Sequence, residues 1–313
     1  MEIENSSLTP TIALAIRESA MPTPQNTRNQ PGPSSPQAAS SPQASTAKSS
    51  LMGIWKLGEM IYSSEHSRLF TAQPADSASN PRFDYVLRTV AEDRRRRDES
   101  TRQLARFSTA AAAASHPNLI VCLDVSLESA TPFLVMPRLV GCTLATWIQQ
   151  SPQRLPVALW AVRQAAQALV AVHESGWVHG DVKPANLFVG SQGHVTLLDL
   201  GFAHPKGKTR TLTFVGTPNY AATETLSEPQ VSEAPSDVYS LGKVLLDLLA
   251  WTSPTVRHQA VLEPVADLIA AMIATSPADR PTATEVASRL LRLEIETLGE
   301  HIQPKANQAR RAA

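Results

Sequence analysis

Within eight residues the chain sets His179-Gly-Asp181-Val-Lys183-Pro-Ala-Asn186, and thirteen residues past Asn186 it sets Asp199-Leu-Gly201. These residue types are the ones phosphoryl transfer calls for. A carboxylate orients an attacking hydroxyl and accepts its proton, hard oxygen ligands hold a divalent cation against the phosphates, and a side-chain cation meets the moving group. Short apolar runs that read as strands, LFV at 187–189 and HVTLL at 194–198, flank the two strings, so the polar groups fall in loops held by rigid neighbours.

The rest of the chain must position those loops. It has 313 residues, 42% hydrophobic and 18% charged, enough to bury one large core or two modest ones. Lys+Arg 28 balance Asp+Glu 28, which argues against a general nucleic-acid or membrane-surface binder, since either would show a basic excess. The two cysteines, Cys122 and Cys142, have no CxxC or Cys/His metal spacing and are expected as buried thiols in a reducing compartment. No uninterrupted apolar run approaches the roughly 18 residues of a membrane span. Glu2, Glu4 and the pair Arg17-Glu18 do not suit a secretory signal, so a cytoplasmic protein is expected.

Residues 1–50 contain no Phe, Trp or Tyr, and from Met21 to Ser50 they are almost all Pro, Ser, Gln, Ala, Thr and Asn. Such a stretch lacks the apolar surface to offset ordering entropy and is expected to be a disordered leader. Strand-like runs follow over 54–139 (IWKLGEMIY, SRLFTAQ, FDYVLRTV, LIVCLDVSL, PFLVMPRL), broken by one charged, then Ala-rich helical stretch from Glu92 to Ser115. Beyond Gly141 the helical period dominates. The expected organisation is an α+β chain: leader 1–50, a β-rich lobe with one helix over 51–139, an α-rich lobe over 140–298, and a frayed tail 299–313.

The two strings resemble the catalytic loop and metal-binding motif of the eukaryotic-like (Hanks-type) Ser/Thr protein kinases. Gly216-Thr-Pro-Asn-Tyr-Ala-Ala-Thr-Glu224 is similar to the end of a kinase activation segment, Asp237-Val-Tyr-Ser-Leu-Gly242 to its buried helix, and Asp279-Arg280-Pro281 to the arginine motif beyond it. The order matches over roughly residues 54–295. The resemblance implies a bilobal kinase fold, ATP and Mg²⁺ as cofactors, and a protein substrate or signalling partner. It implies that Asp181 faces the substrate hydroxyl, that Lys183 reaches the γ-phosphate, and that Asn186 and Asp199 hold the metal. Ile61, Leu69, Val86 and Phe188 would line the adenine slot with Met136 at its back, and the hinge would use the carbonyl of Pro137 and the N–H of Leu139. Glu224 and Arg280 would form a buried ion pair, and Asp237 would accept hydrogen bonds from the catalytic-loop backbone.

The β-rich lobe departs from the pattern. The three glycines of a kinase phosphate loop are replaced by Tyr62, Ser64 and Ser67. The expected phosphate-binding lysine is Arg88, whose planar fork is not equivalent to an ammonium. Counting back from His116-Pro117-Asn118, the glutamate that should pair with it falls on Phe107, or on Gln103 with a one-turn slip, unless Glu99 reaches it. Gly180 stands where many kinases carry an arginine that grips a phosphorylated activation loop. The run Arg94 to Arg97 reads as a solvated helix face. Two functions therefore compete: a weak or atypical ATP-dependent Ser/Thr protein kinase, and a pseudokinase acting as a nucleotide-binding or scaffolding partner.

Overall fold

A computed structural model describes residues 51–77, 82–91, 93, 95–150, 152–207, 218–226, 232–252 and 259–297. The expected leader and tail, Arg94, and the Gly216-Thr217 start of the activation-segment motif lie outside the described residues. The α+β, two-lobed architecture expected from the sequence is what the structure shows. In the first lobe a six-stranded antiparallel sheet runs in the order β1-β2-β3-β4-β6-β5. Its strands are β1 (Leu51–Met52), β2 (Trp55–Ser63), β3 (Ser67–Pro74), β4 (Tyr85–Val90), β5 (Asp124–Ser126) and β6 (Phe133–Pro137).

Register gives the sheet two different faces, because residues directly opposite one another point the same way. Phe70, Leu87 and Val135 pair across three strands on the outer face, where Trp55, Leu57, Ala72 and Phe133 complete a small core of their own. Leu69, Arg88 and Leu134 pair on the inner face, and next to them Thr71, Val86 and Met136. Against this lobe packs α1 (Arg97–Ala113), whose first turn carries Asp98 and Glu99, acids that suit the positive end of the helix dipole. Leu104, Phe107 and Ala110 are its buried apolar residues and join Leu134 and Leu200 in the main core.

One expected strand is divided. The run 119–127 reads as a single strand, but only Asp124–Ser126 belongs to the first sheet. Leu119 bridges in parallel to Leu197, and Ile120 N–H donates to the Leu197 carbonyl at 3.0 Å. Leu119 and Ile120 are consecutive and both buried in the main core, so the segment crosses between lobes and the alternation of a one-sided strand is lost there.

The second lobe is built on α2 (Leu144–Gln150), α3 (Leu155–Glu174), α4 (Thr223–Leu226), α5 (Ala234–Ala250), α6 (Gln259–Met272) and α7 (Ala283–Arg292). By length and composition α3 could cross a membrane, but it is the central helix of the core: Leu155, Leu159, Val162 and Leu169 are each 0% exposed. Thr282 and Glu285 cap α7 reciprocally, each side chain accepting the other's backbone N–H. Among the smaller strands, β7 (Gly141–Thr143), β9 (Leu187–Gly190) and β10 (Val195–Leu197) form a three-stranded sheet, and β8 (Trp177–Val178) pairs with β11 (His204–Pro205).

At the start of β7, Gly141 has φ +150 and approaches β9 so closely that a Cβ would stand 2.1 Å from the Val189 carbonyl oxygen. Gly141→Ala is therefore expected to lower the melting temperature by several degrees, a cost of about 1–3 kcal/mol for crowding a packed site. An unchanged melting curve would show that the strand pair separates at no cost.

Candidate active site

The catalytic-loop residues are held from behind by two buried side chains. Asp237, on the first turn of α5, accepts from the backbone N–H of His179 at 2.8 Å through Oδ2 and from that of Gly180 at 2.9 Å through Oδ1. His173, near the end of α3, lies 2.9 Å from the same Oδ2. Burial pushes the Asp237 carboxyl up, but the hydrogen bond and charge of His173 with the bonds from the loop leave it below the ordinary aspartate range. His179 pins the loop from inside: its Nε2 donates to the Leu198 carbonyl at 2.8 Å, and its Nδ1 accepts from the Asp181 N–H at 3.2 Å. Gly180 between them has φ +78, and a Cβ there would lie 3.0 Å from the Phe202 carbonyl oxygen. The missing arginine side chain thus coincides with a backbone conformation that favours glycine.

This anchoring brings Asp181, Lys183 and Asn186 together. Lys183 Nζ lies 2.7 Å from Asp181 Oδ2, and Asn186 Nδ2 donates to that oxygen at 2.8 Å and to the Asp181 carbonyl at 2.8 Å. The Asp181 carboxyl is raised above its ordinary range: burial pushes it up, and Lys183 opposes this only in part.

Asp199, close enough to Asp181 for the two charges to interact, is in a left-handed conformation, φ 55 and ψ 79, unusual for a residue with a side chain. Its Oδ1 accepts from Gly201 N–H at 3.1 Å and from Arg88 Nη1 at 2.6 Å. Burial alone would raise its carboxyl; the Arg88 charge and hydrogen bond and the Gly201 N–H override that and hold it below the ordinary range. Asp199 and Asn186 offer the one carboxylate and one amide oxygen that Mg²⁺ commonly takes beside phosphate oxygens. Asn186 fits this role in its present rotamer, because its Nδ2 is committed to Asp181 and its side-chain oxygen Oδ1 is left for a cation. Among the described residues no cluster of three or more His, Cys, Asp or Glu could hold a metal by protein ligands alone.

The first lobe departs from the expected register in one respect. Phe107, where counting from His116 places the partner of Arg88, is 1% exposed within the main core. Gln103, one turn earlier, is the residue beside the Asp199-Leu-Gly201 turn: its Cβ would be 3.4 Å from a Cβ on Gly201. Packing decides this, since a carboxylate at 107 would be buried among apolar side chains. Glu99 does not supply the acid either. It pairs with Arg102 at 2.9 Å and Arg106 at 3.1 Å on its own helix, whereas Arg88 pairs with Asp199.

The tip of the β2–β3 hairpin is closed by the side chain of Ser64, one of the three residues that replace the expected glycines. Ser64 Oγ accepts from the backbone N–H of His66 at 3.3 Å and of Ser67 at 3.2 Å, the groups a glycine-rich loop would aim at phosphates. Glu65 at this tip pairs with Arg96 at 2.6 Å, just before α1. Of the Arg94–Arg97 run, Arg95 and Arg96 are exposed. Around the adenine slot, Leu69 and Val86 are on the inner sheet face with Arg88, Met136 and Leu139 are half-buried against the main core, and Phe188 stands on β9 in the second lobe. Ile61 is 45% exposed at a register break in β2, the most open of the expected lining residues. Sequence reasoning also missed His173 and Gln164, which accepts from Asn118 Nδ2 and Val195 N–H, both at 3.0 Å. Polar residues on the buried face of an apolar helix were the available signal.

Elsewhere in the second lobe, Arg280 Nη1 and Nη2 donate to Glu224 Oε1 at 2.6 Å and Oε2 at 2.9 Å. The same guanidinium donates to the Ala274 carbonyl at 2.8 Å and lies 4.9 Å from the Tyr239 ring centroid.

The protein kinase domain family matches residues 80–290. Among curated proteins, the chain is 34% identical over 212 residues to the serine/threonine-protein kinase PkaA of Streptomyces coelicolor, an alignment covering 60% of this chain and 38% of that protein. It is 27% identical over 241 residues to serine/threonine-protein kinase PknB of Mycobacterium leprae, covering 67% and 39%. With PknB of Mycobacterium tuberculosis the figures are 26% over 281 residues, 79% and 44%. The alignments thus span about two-fifths of the length of these relatives. With the two-lobed fold, the anchored loop and the ordered motifs in place, the chain belongs to the Hanks-type Ser/Thr protein kinase family.

Proposed function

We propose that the protein transfers the γ-phosphoryl group of ATP to Ser or Thr hydroxyls of a protein substrate. The single observation that carries this reading is the cluster of Asp181, Lys183 and Asn186, held by Asp237 and within electrostatic reach of Asp199. Asp181 orients the substrate hydroxyl and accepts its proton at Oδ1, the oxygen not engaged by Lys183 and Asn186. Lys183 turns from Asp181 to the transferred group, where its charge counts most as negative charge develops. Asn186 and Asp199 would hold Mg²⁺, which neutralises the phosphates. Glu224, Arg280 and Asp237 act as scaffold rather than in contact with substrate.

A second reading, a nucleotide-binding or scaffolding pseudokinase, is favoured by the Ser64 closure of the phosphate loop. Its Oγ takes two backbone donors, so the loop binds phosphate only by giving those bonds up. Mg²⁺-ATP at millimolar concentration is expected to raise the melting temperature by several degrees, since a ligand confined to the folded state stabilises it by mass action. Asp199→Asn is expected to abolish most of that shift. Absence of any shift would overturn the nucleotide site. A full shift with no transfer of radiolabelled phosphate to a generic protein would decide for the pseudokinase.

A further inference from the structure

We propose that Arg88 is a cation built into the metal position, so that Asp199 takes a divalent cation only after a nucleotide phosphate has drawn the guanidinium away. The inference rests on reading Asp199 as a metal ligand and adds a gate to it.

Three observations carry it. First, Arg88 Nη1 stands 2.6 Å from Asp199 Oδ1, an ion pair whose side chains are only 10% and 26% exposed, so water screens it little. A metal and a guanidinium on that one oxygen would repel each other at contact distance. Second, Arg88 Nε is buried and has no hydrogen-bond partner among the described residues. A guanidinium offers a rigid fork that fits carboxylate or phosphate at two corners, and here one corner is used and its inner N–H is idle. A phosphate oxygen is the acceptor that this unused donor calls for. Third, nothing on α1 competes for the arginine. Glu99 is committed to Arg102 and Arg106, and the residue beside the Asp199 turn is Gln103, which carries no charge.

The backbone of Arg88 is fixed in mid-strand between Leu69 and Leu134. Exchange therefore takes place by rotation of the side chain, from the Asp199 carboxylate to a phosphate, without movement of the sheet. Metal and nucleotide are then coupled more tightly than by shared coordination alone. Because coupling is reciprocal, whatever factor the nucleotide adds to metal affinity the metal adds to nucleotide affinity.

The test uses the full chain and Mn²⁺ alone, followed by electron paramagnetic resonance or calorimetry, so that no turnover is needed. Arg88→Gln, which keeps a polar side chain but removes the charge and the guanidinium fork, is expected to bind Mn²⁺ at least about tenfold more tightly than the parent, a coupling in the lower part of the usual range. Adding Asp199→Asn to it is expected to remove the gain. Equal Mn²⁺ affinities in parent and Arg88→Gln would overturn the gate, as would a gain that survives Asp199→Asn. A measurement on the parent alone stands if the variants do not fold. In EDTA, ADP is expected to bind at least about tenfold more tightly than adenosine, because Arg88 supplies the counter-charge without metal. Equal affinities there would also overturn the gate. Failure of the parent to bind Mn²⁺ even with ADP present would overturn the metal-site reading beneath it, which is a different result from equal affinities.

Discussion

Asp181→Asn is expected to lower phosphotransfer about 10²–10⁴-fold, the range for removing a general base, while leaving the melting temperature unchanged or slightly raised. The two halves of this expectation share one cause. Burial makes ionised Asp181 costly and raises its carboxyl above the ordinary range, so a neutral amide of the same size relieves a penalty as it removes the function. Lys183 loses a partner at 2.7 Å in the exchange, but with 23% of its side chain exposed it can turn to water. The raised carboxyl also sets a sign. Asp181 must be deprotonated to act, so the parent's rate climbs with pH through an inflection above about 3.9, the ordinary aspartate value, and the asparagine variant lacks that rise. Radiolabelled transfer from ATP across pH, beside melting curves, measures both. Transfer within threefold of the parent would remove Asp181 from the mechanism.

The second large effect is on stability. Arg280→Ala is expected to cost about 3–5 kcal/mol, because it strands Glu224, whose side chain is only 18% exposed, opposite a vacated cation site. For a domain of this size that corresponds to a fall of about 6–20 °C in melting temperature. Arg102→Ala, at an exposed pair on α1, is expected to change it by about a degree or less. The pair should also appear in acid unfolding. Burial would raise the Glu224 carboxyl, but hydrogen bonds from Arg280 and Ser236 and the Arg280 charge leave it below the ordinary range. Its contribution is therefore present above about 4.3, the ordinary glutamate value, and is lost as pH falls through the lower folded value. Arg280→Ala should flatten that limb of the profile. Equal melting temperatures for Arg280→Ala and parent would mean that the pair contributes no net stability.

How much of this was legible before folding depended on range. The loop string from His179 to Asn186 places three working groups within a few residues of one another, and a few backbone turns bring them together. Their types are those that phosphoryl transfer calls for, and their order matches the motif on which the family resemblance rests. The strands and helices were legible for the same reason, since hydrophobic period is a local property of the chain. Leu119-Ile120 failed the same test because their partner, Leu197, lies in the other lobe.

What only the tertiary structure decided is which charge meets which. Arg88 and Asp199 are 111 residues apart, and nothing in either neighbourhood announces the 2.6 Å contact. Counting along the chain favoured Phe107 as the neighbour of the site, whereas helix packing places Gln103 there. A helix rotates its faces by about 100° per residue, so a shift of one turn keeps the pattern while changing the contact. Ser64 was visible only as a lost glycine until its hydroxyl was seen to accept two backbone N–H groups. Local sequence determined which polar groups the loop offers and the elements that carry them. The long-range ion pairs Arg88–Asp199 and Arg280–Glu224 depend on packing between segments distant along the chain.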